Sequence, residues 1–211
     1  MSPHSLGGFF IVFEGIDGTG KSTQIKLLAH FLRSLGHHVV TTAEPTRGKF
    51  GRQIRALYRN RGRISPREEL ELFIADRREH LHHLILPALR RNSIVICDRY
   101  FLSTAAYQGA RGFSPDEIIT RHAFARQPEL ALIIEAPIDQ CLQRITTARK
   151  ETPNDFEQRT SLEKVDFVFR QLFLPYICRV DGSGSIVEVQ AQIMEHVTTL
   201  LRSRLTYLPH S

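Results

Sequence analysis

Five short runs of the chain are apolar and rich in Ile or Val: 9–13, 38–43, 93–97, 130–135 and 185–189. Runs of this length predict strands. Between and after them the pattern predicts helices at 21–35, 49–60, 66–91, 101–108, 115–126, 138–149, 162–179 and 191–205. Two helix starts are marked strongly. Ser65-Pro66-Arg67-Glu68 and Ser114-Pro115-Asp116-Glu117 each supply a capping Ser, a Pro at the first helical position and a Glu able to bond back. Alternation of strand and helix predicts an α/β fold with a parallel sheet covered on both faces. In such sheets ligands bind beyond the carboxyl ends of the strands, so the residues after each strand carry most of the chemistry.

After the first strand stands Gly15-Ile16-Asp17-Gly18-Thr19-Gly20-Lys21-Ser22, a complete G-x-x-x-x-G-K-S signature, followed by Thr23 and a helix. Its glycines let the backbone wrap a polyphosphate, Lys21 neutralises charge and Ser22 can hold Mg²⁺. The following helix turns its positive end to the same anion. This loop narrows the fold to a five-stranded P-loop NTPase type. Asp17 inside it is unexpected beside an anion; it can face a sugar hydroxyl of a second substrate or be an exposed loop acid.

At 211 residues, 42% hydrophobic and 24% charged, the chain suits one globular domain spanning 1–211. No apolar run reaches membrane-span length, and the first residues lack the pattern of a secretory signal. Cys97, Cys141 and Cys178 are odd in number and widely spaced, which disfavours a disulfide framework and predicts a reducing cytoplasm. The formal charge is +6, and Arg47, Lys49, Arg52, Arg55, Arg59, Arg61, Arg63 and Arg67 follow one another without an acid. That stretch suits an anionic ligand, nucleotide or nucleic acid, or a solvated helix face. The polar, Pro-containing segment 149–155 reads as a loop or lid.

Glu44-Pro45-Thr46-Arg47-Gly48 follow the second strand, and Asp98-Arg99-Tyr100 the third. Asp98 has the placement of a Walker-B-type acid that orients Mg²⁺. Arg99 would enter the phosphate cleft, where a guanidinium suits a phosphoryl group. Phe73 and Arg77 lie four apart on one helix face, an aromatic plane beside a donor, suited to a nucleobase.

With these residues assembled, the chain resembles the thymidylate kinases of bacterial type. The resemblance rests on Phe13-Glu14 with the phosphate loop, Glu44-Pro45, Phe73 with Asp76-Arg77, Pro87-Ala88-Leu89, Asp98-Arg99-Tyr100, Ser103-Thr104 and Ala106-Tyr107-Gln108-Gly109. It implies Mg²⁺-dependent transfer of the ATP γ-phosphoryl group to dTMP, in a cytoplasmic homodimer. By position, Phe73 would stack on thymine, Arg77 would bond its carbonyl edge, and Thr104 and Gln108 would lie near the base. Asp17 would meet the sugar 3′-hydroxyl and Tyr107 would crowd the 2′ position. Arg55 and Arg99 would hold the acceptor phosphate beside Pro45. Because the phosphate loop lacks its own basic residue before Gly20, the resemblance implies a catalytic arginine in a lid at about 145–160, Arg144 or Arg149. Departures from the family pattern are Thr46-Arg47-Gly48, a shortened Gln108-Gly109-Ala110-Arg111-Gly112, and Glu135 where Asp is usual. Two other readings remain: a deoxynucleoside kinase with Glu44 as base, and a nucleic-acid-binding P-loop protein using the stretch 47–67.

Overall fold

The first strand, β1 (Phe10–Glu14), is buried at every position and forms the centre of the molecule. A computed structural model describes residues 8–58, 63–149 and 158–205. The other strands are β2 (Val39–Ala43), β3 (Ile94–Asp98), β4 (Leu130–Glu135) and β5 (Ile177–Asp181). They form one sheet in the order β2-β3-β1-β4-β5, parallel at every pairing. Strand order reverses around β1, whose neighbours are β3 on one side and β4 on the other. Crossovers depart to opposite faces from that point, which opens a crevice at the carboxyl edge.

Alternate residues of each strand feed two cores. Phe10, Val12, Val95, Cys97, Ala131 and Ile133 pack with the helices of one face. Ile11, Phe13, Ile94, Ile96, Leu132 and Ile134 pack with the other. The second face is covered by α1 (Lys21–Ser34) and α9 (Ile186–Leu205), through Leu28, Leu32, Val189, Ile193 and Val197. The first face carries α5 (Phe101–Gly109), α7 (Ile138–Arg149) and α8 (Arg159–Gln171). Between β2 and β3 run α2 (Lys49–Ala56), α3 (Pro66–His80) and α4 (Leu86–Arg90); α6 (Pro115–Arg121) follows α5.

The helix expected at 66–91 is a composite rod over 66–90. A π-turn, Leu81–Ile85, joins α3 to α4, and the Leu86 N–H reaches back five residues to the Leu81 carbonyl. Pro87 has no N–H to give, and this wider turn lets the rod continue past it. The Ser65 start is a full capping box: the Ser65 Oγ accepts the Glu68 N–H at 3.2 Å, and the Glu68 carboxylate accepts the Ser65 N–H at 2.7 Å. The Ser114 hydroxyl likewise accepts the Glu117 N–H.

Near the C-terminus the expectation needs correcting. The last strand lies at Ile177–Asp181, overlapping the end of the expected helix 162–179, and the expected strand 185–189 is the start of α9. Two local signals decide this. Leu172 is already extended and Pro175 cannot continue α8, so the chain is free to pair with β4. The Ser185 Oγ then accepts the Glu188 N–H at 3.3 Å, and Glu188 accepts the Ser185 N–H at 2.8 Å. This second capping box overrides the β-branched look of Ile186-Val187-Glu188-Val189. Among the described residues no helix is long and apolar enough to cross a membrane.

Ile193 of α9 is fully buried against the sheet. Its replacement by Ala should lower the unfolding free energy by about 2–5 kcal/mol, measured by urea denaturation, as for other large-to-small core changes. A loss below about 0.5 kcal/mol would mean that α9 is not docked as described.

Candidate active site

The phosphate loop leaves β1 through Gly15 and turns again at Gly18, with φ of +123° and +84°. Side chains are excluded there by space as well as by torsion. A Cβ on Gly15 would lie 2.4 Å from the Ile134 carbonyl oxygen, and one on Gly18 would lie 2.4 Å from that of Cys141. The loop is therefore pressed onto β4 and α7 while its other side lines a cleft of about 770 Å³. That cleft brings together Asp17, Gly18, Thr19, Gly20, Lys21, Ser22 and Thr23 with Asp98, Arg99 and Arg144. Gly182, Gly184 and Ile186 close it from the turn between β5 and α9.

Lys21 curls into its own loop, donating to the carbonyls of Gly15 (3.1 Å) and Ile16 (2.7 Å). Burial, then the nearby charge of Arg99, lowers its pKa to about 8. Ser22 donates to Asp98 Oδ2 at 2.9 Å. Asp98 Oδ1 is buried and has no hydrogen-bond partner. This hydroxyl–carboxylate pair with an unsatisfied hard oxygen suits a Mg²⁺ ion or its bound water.

Arg99 sits in the left-handed region, φ +69°, directly after β3. Its Nη2 donates to Asp17 Oδ1 at 2.8 Å and to the Tyr107 hydroxyl at 3.2 Å. Nη1 donates to the Gly15 carbonyl at 3.0 Å and to Ser103 Oγ at 3.1 Å. Tyr107 in turn donates to Asp17 Oδ2 at 2.9 Å. Burial alone would raise the Asp17 pKa. The charges of Arg99 and Lys21 and the Tyr107 bond outweigh it and bring it down to about 2. Asp17 is thus an ionised acceptor with fixed orientation.

A second cluster lies behind Glu44. Arg77 donates to Glu44 Oε2 through Nε (2.9 Å) and Nη2 (2.5 Å), and through Nη2 to Thr104 Oγ1 at 3.1 Å. His80, three residues on, meets Glu44 Oε1 at 2.9 Å and Thr42 Oγ1 at 2.7 Å. Burial favours a neutral Glu44, but Arg77 and His80 outweigh it and hold its pKa below the ordinary value. Arg77 Nη1 stays without a partner, as do both side-chain polar atoms of Gln108, a fully buried residue.

Helix spacing explains both clusters. On α5, Ser103 and Tyr107 are four apart and serve Arg99; on the adjacent stripe Thr104 accepts from Arg77, and Gln108 follows one turn on. Phe73 is half-buried one turn before Arg77 on α3.

Other expected residues are otherwise engaged. Arg55 donates to the main-chain carbonyls of Pro45 (2.6 Å) and Thr46, across a cis Glu44–Pro45 bond. Arg144 Nη1 bonds the carbonyls of Gly182 (3.1 Å) and Gly18 (3.5 Å). The Arg149 side chain, and most of the expected lid at 150–157, lie outside the described residues. In the basic stretch, Arg47, Lys49, Arg52, Arg63 and Arg67 are exposed, while Arg59 and Arg61 fall outside the described residues. Asp76, one of the marks of the resemblance, is not a solvated surface acid. Instead it is buried and accepts the Thr46 N–H at 2.7 Å and the Thr46 hydroxyl at 2.5 Å. No role for His80 or Glu14 was read from the sequence; their signals are a His one turn after Arg77 and a carboxylate at the end of an apolar strand run.

Comparison with known proteins identifies this constellation. A family model described as thymidylate kinase matches residues 13–193. The chain belongs to the thymidylate kinase family. It is similar to the thymidylate kinase of Desulfotalea psychrophila, 51% identical over 195 residues, covering 92% of this chain and 96% of that protein. The thymidylate kinase of Xanthomonas euvesicatoria pv. vesicatoria is 43% identical over 205 residues, 97% of this chain and 90% of the relative. The matched family segment runs from the end of β1 into the first part of α9, and contains every side chain of the two clusters described above.

Arg77 and Glu44 are 1% and 3% exposed. Glu44→Gln removes the charge opposite a buried guanidinium and should destabilise the fold by about 3–5 kcal/mol in urea denaturation. The folded-state pKa of Glu44 is depressed. Its contribution is therefore complete above the ordinary carboxylate range and is lost as pH falls through the folded value. A variant as stable as the parent at neutral pH would reject the pair as an anchor.

Proposed function

We propose that the protein transfers the γ-phosphoryl group of ATP to dTMP, yielding ADP and dTDP. Family membership supports the reaction, and one structural observation favours a monophosphate over a nucleoside acceptor. Both oxygens of Glu44 are bonded to Arg77 and His80, with a depressed pKa. A hydroxyl acceptor needs a carboxylate base near this strand end, and Glu44 is poorly suited to that work. A phosphate acceptor has a second pKa near 6 and is mostly ionised at neutral pH, so it needs no base.

The donor polyphosphate lies on the loop 15–23, with Lys21 beside it. Ser22 and Asp98 would hold Mg²⁺, which when bound offsets charge on the phosphates. Arg99, bonded to Gly15 and Asp17 of the phosphate loop, offers its guanidinium to the transferring group and the acceptor phosphate. Arg144 and Arg149 are candidates for a further cationic contribution from the lid; Arg55 and Pro45 lie on the acceptor side. Thymine takes the place between Phe73 and Arg77, whose unpaired Nη1 suits a base carbonyl, while the open donor and acceptor of Gln108 suit an imide edge. Asp17 accepts from the 3′-hydroxyl, and Tyr107 excludes a 2′-hydroxyl. Catalysis in this arrangement comes from alignment and charge neutralisation. A single domain over 1–211, a homodimer and a cytoplasmic location belong to the same reading, carried by resemblance. The nucleic-acid reading leaves the Arg99–Asp17 and Arg77–Glu44 clusters without a role, and Arg55 of its stretch turns inward to main-chain carbonyls.

A coupled ADP-release assay with purified protein, ATP and Mg²⁺ tests this directly. Turnover is expected with dTMP and not with thymidine, and Arg99→Ala should lower kcat by about 10³-fold with the fold retained. Turnover on thymidine exceeding that on dTMP would sink the assignment.

Lys21 supplies a second check. With a pKa of about 8 in the free protein, it is partly neutral in mildly alkaline buffer, and a bound polyphosphate favours its charged form. ATP binding near that pH should take up protons, visible as a heat that varies with buffer ionisation enthalpy. The uptake should vanish about two pH units lower, where Lys21 is already charged.

A further inference from the structure

Glu14 ends β1 beside the phosphate loop, is fully buried, and has no part in the chemistry described so far. Its Oε1 accepts the Tyr100 N–H at 3.0 Å and its Oε2 accepts the Ser103 hydroxyl. Both partners adjoin Arg99. Tyr100 is the next residue, and Ser103 Oγ also accepts from Arg99 Nη1 at 3.1 Å. Arg99 is strained for a residue with a side chain, at φ +69°. Such a conformation persists only where neighbours over-determine it.

The upstream side of that turn is held by the Arg99 N–H on the Phe13 carbonyl at 2.8 Å and by the Cys97 thiol on the Arg99 carbonyl at 3.0 Å. The downstream side is held by Glu14. A buried carboxyl is unfavourable unless its bonds compensate; burial pushes this one up to about 7 against the opposing Ser103 bond and the charges of Arg99 and Arg77. Tyr100, whose amide it holds, also packs edge-on against Phe10, with ring centroids 5.0 Å apart. The same ring lies under the Arg77 guanidinium at 4.9 Å. One carboxylate therefore sits at the junction of the strand end, the strained turn and the first turn of α5.

We propose that Glu14 is a positioning residue for Arg99: by clamping the Tyr100 N–H and the Ser103 hydroxyl it maintains the left-handed turn and aims the guanidinium at the transferring phosphoryl group. The inference rests on the role proposed above for Arg99, and a double-mutant cycle separates the two. Full-length wild type, Glu14→Ala, Arg99→Ala and the double variant are compared for kcat, KM for ATP and melting temperature. Displacing a catalytic group by about an ångström is worth about 10²-fold, so Glu14→Ala should lower kcat by that order with KM for ATP changed less than about threefold. On the Arg99→Ala background the same substitution should change kcat by less than about threefold, because residues acting as a unit are non-additive. Glu14→Gln, which can still accept the Tyr100 N–H and meet Ser103, should recover at least about a tenth of wild-type kcat. If Glu14→Ala fails to fold, Ser103→Ala breaks the same link and replaces it in the cycle. A Glu14→Ala loss that persists in full without Arg99, or wild-type turnover in Glu14→Ala, overturns the proposal. Wild-type turnover in Arg99→Ala alone would instead remove the underlying assignment of Arg99.

Discussion

Arg99 and Asp17 form an ion pair at 2.8 Å with side chains 17% and 24% exposed, and the rest of the site is arranged around it. Asp17 belongs to the loop after β1 and Arg99 to the turn after β3, so the pair bridges the two central strands at their carboxyl ends. An acid inside a phosphate loop is unfavourable on electrostatic grounds alone. The guanidinium converts it into a fixed acceptor whose pKa is about 2. The same guanidinium keeps a positive charge where two polyanionic substrates would meet. A short strand register error between β1 and β3 would separate these partners, and the pairing of Phe13 with Asp98 prevents it.

Much of this was legible in the sequence because it depends on local pattern. The first four strands follow from apolar runs, and the phosphate loop and Asp98-Arg99 from their places after strands; the α5 residues came only through the family resemblance. What was not legible depends on contacts remote in sequence. Glu44, Arg77 and His80 are brought together from β2's end and α3 across 33 and 36 positions. No local pattern separates a Glu that will serve as a base from one that will anchor an arginine. The misplaced last strand is a different failure. There the local information was present, in Pro175 and the Ser185/Glu188 box, but composition was weighed above it.

The departures from the family pattern have structural counterparts. Thr46 stands where a glycine is usual, and its amide and hydroxyl both bind Asp76. That ties the loop after β2 to α3, so the segment carrying Pro45 is fixed by a side-chain bond rather than left to glycine torsion. Gly51 makes room for it: a Cβ there would lie 1.9 Å from the Thr46 carbonyl oxygen. Glu135, in place of Asp, pairs with Arg179, whose other amino group donates to the Phe169, Arg170 and Leu172 carbonyls at the end of α8. One longer carboxylate thereby joins β4 to β5 and closes a helix whose carbonyls would otherwise be unsatisfied.

The two halves of the site differ in how they stand without ligands. On the proposed acceptor side, Arg77 keeps Nη1 open and Asp17 is held in orientation by Arg99 and Tyr107, so binding would need little rearrangement there. Lys21 is otherwise, bonded to the carbonyls of its own loop. In the proposed reaction a donor phosphate would draw the ammonium from neutral oxygens to charged ones, an exchange that favours the charged lysine. An ammonium bond gains strength when its acceptor is ionised too, so the exchange would favour binding while the free loop still keeps its cation satisfied. Specificity for the acceptor can therefore reside in a preorganised pocket, and the donor half can adjust to a phosphate chain that is common to many nucleotides.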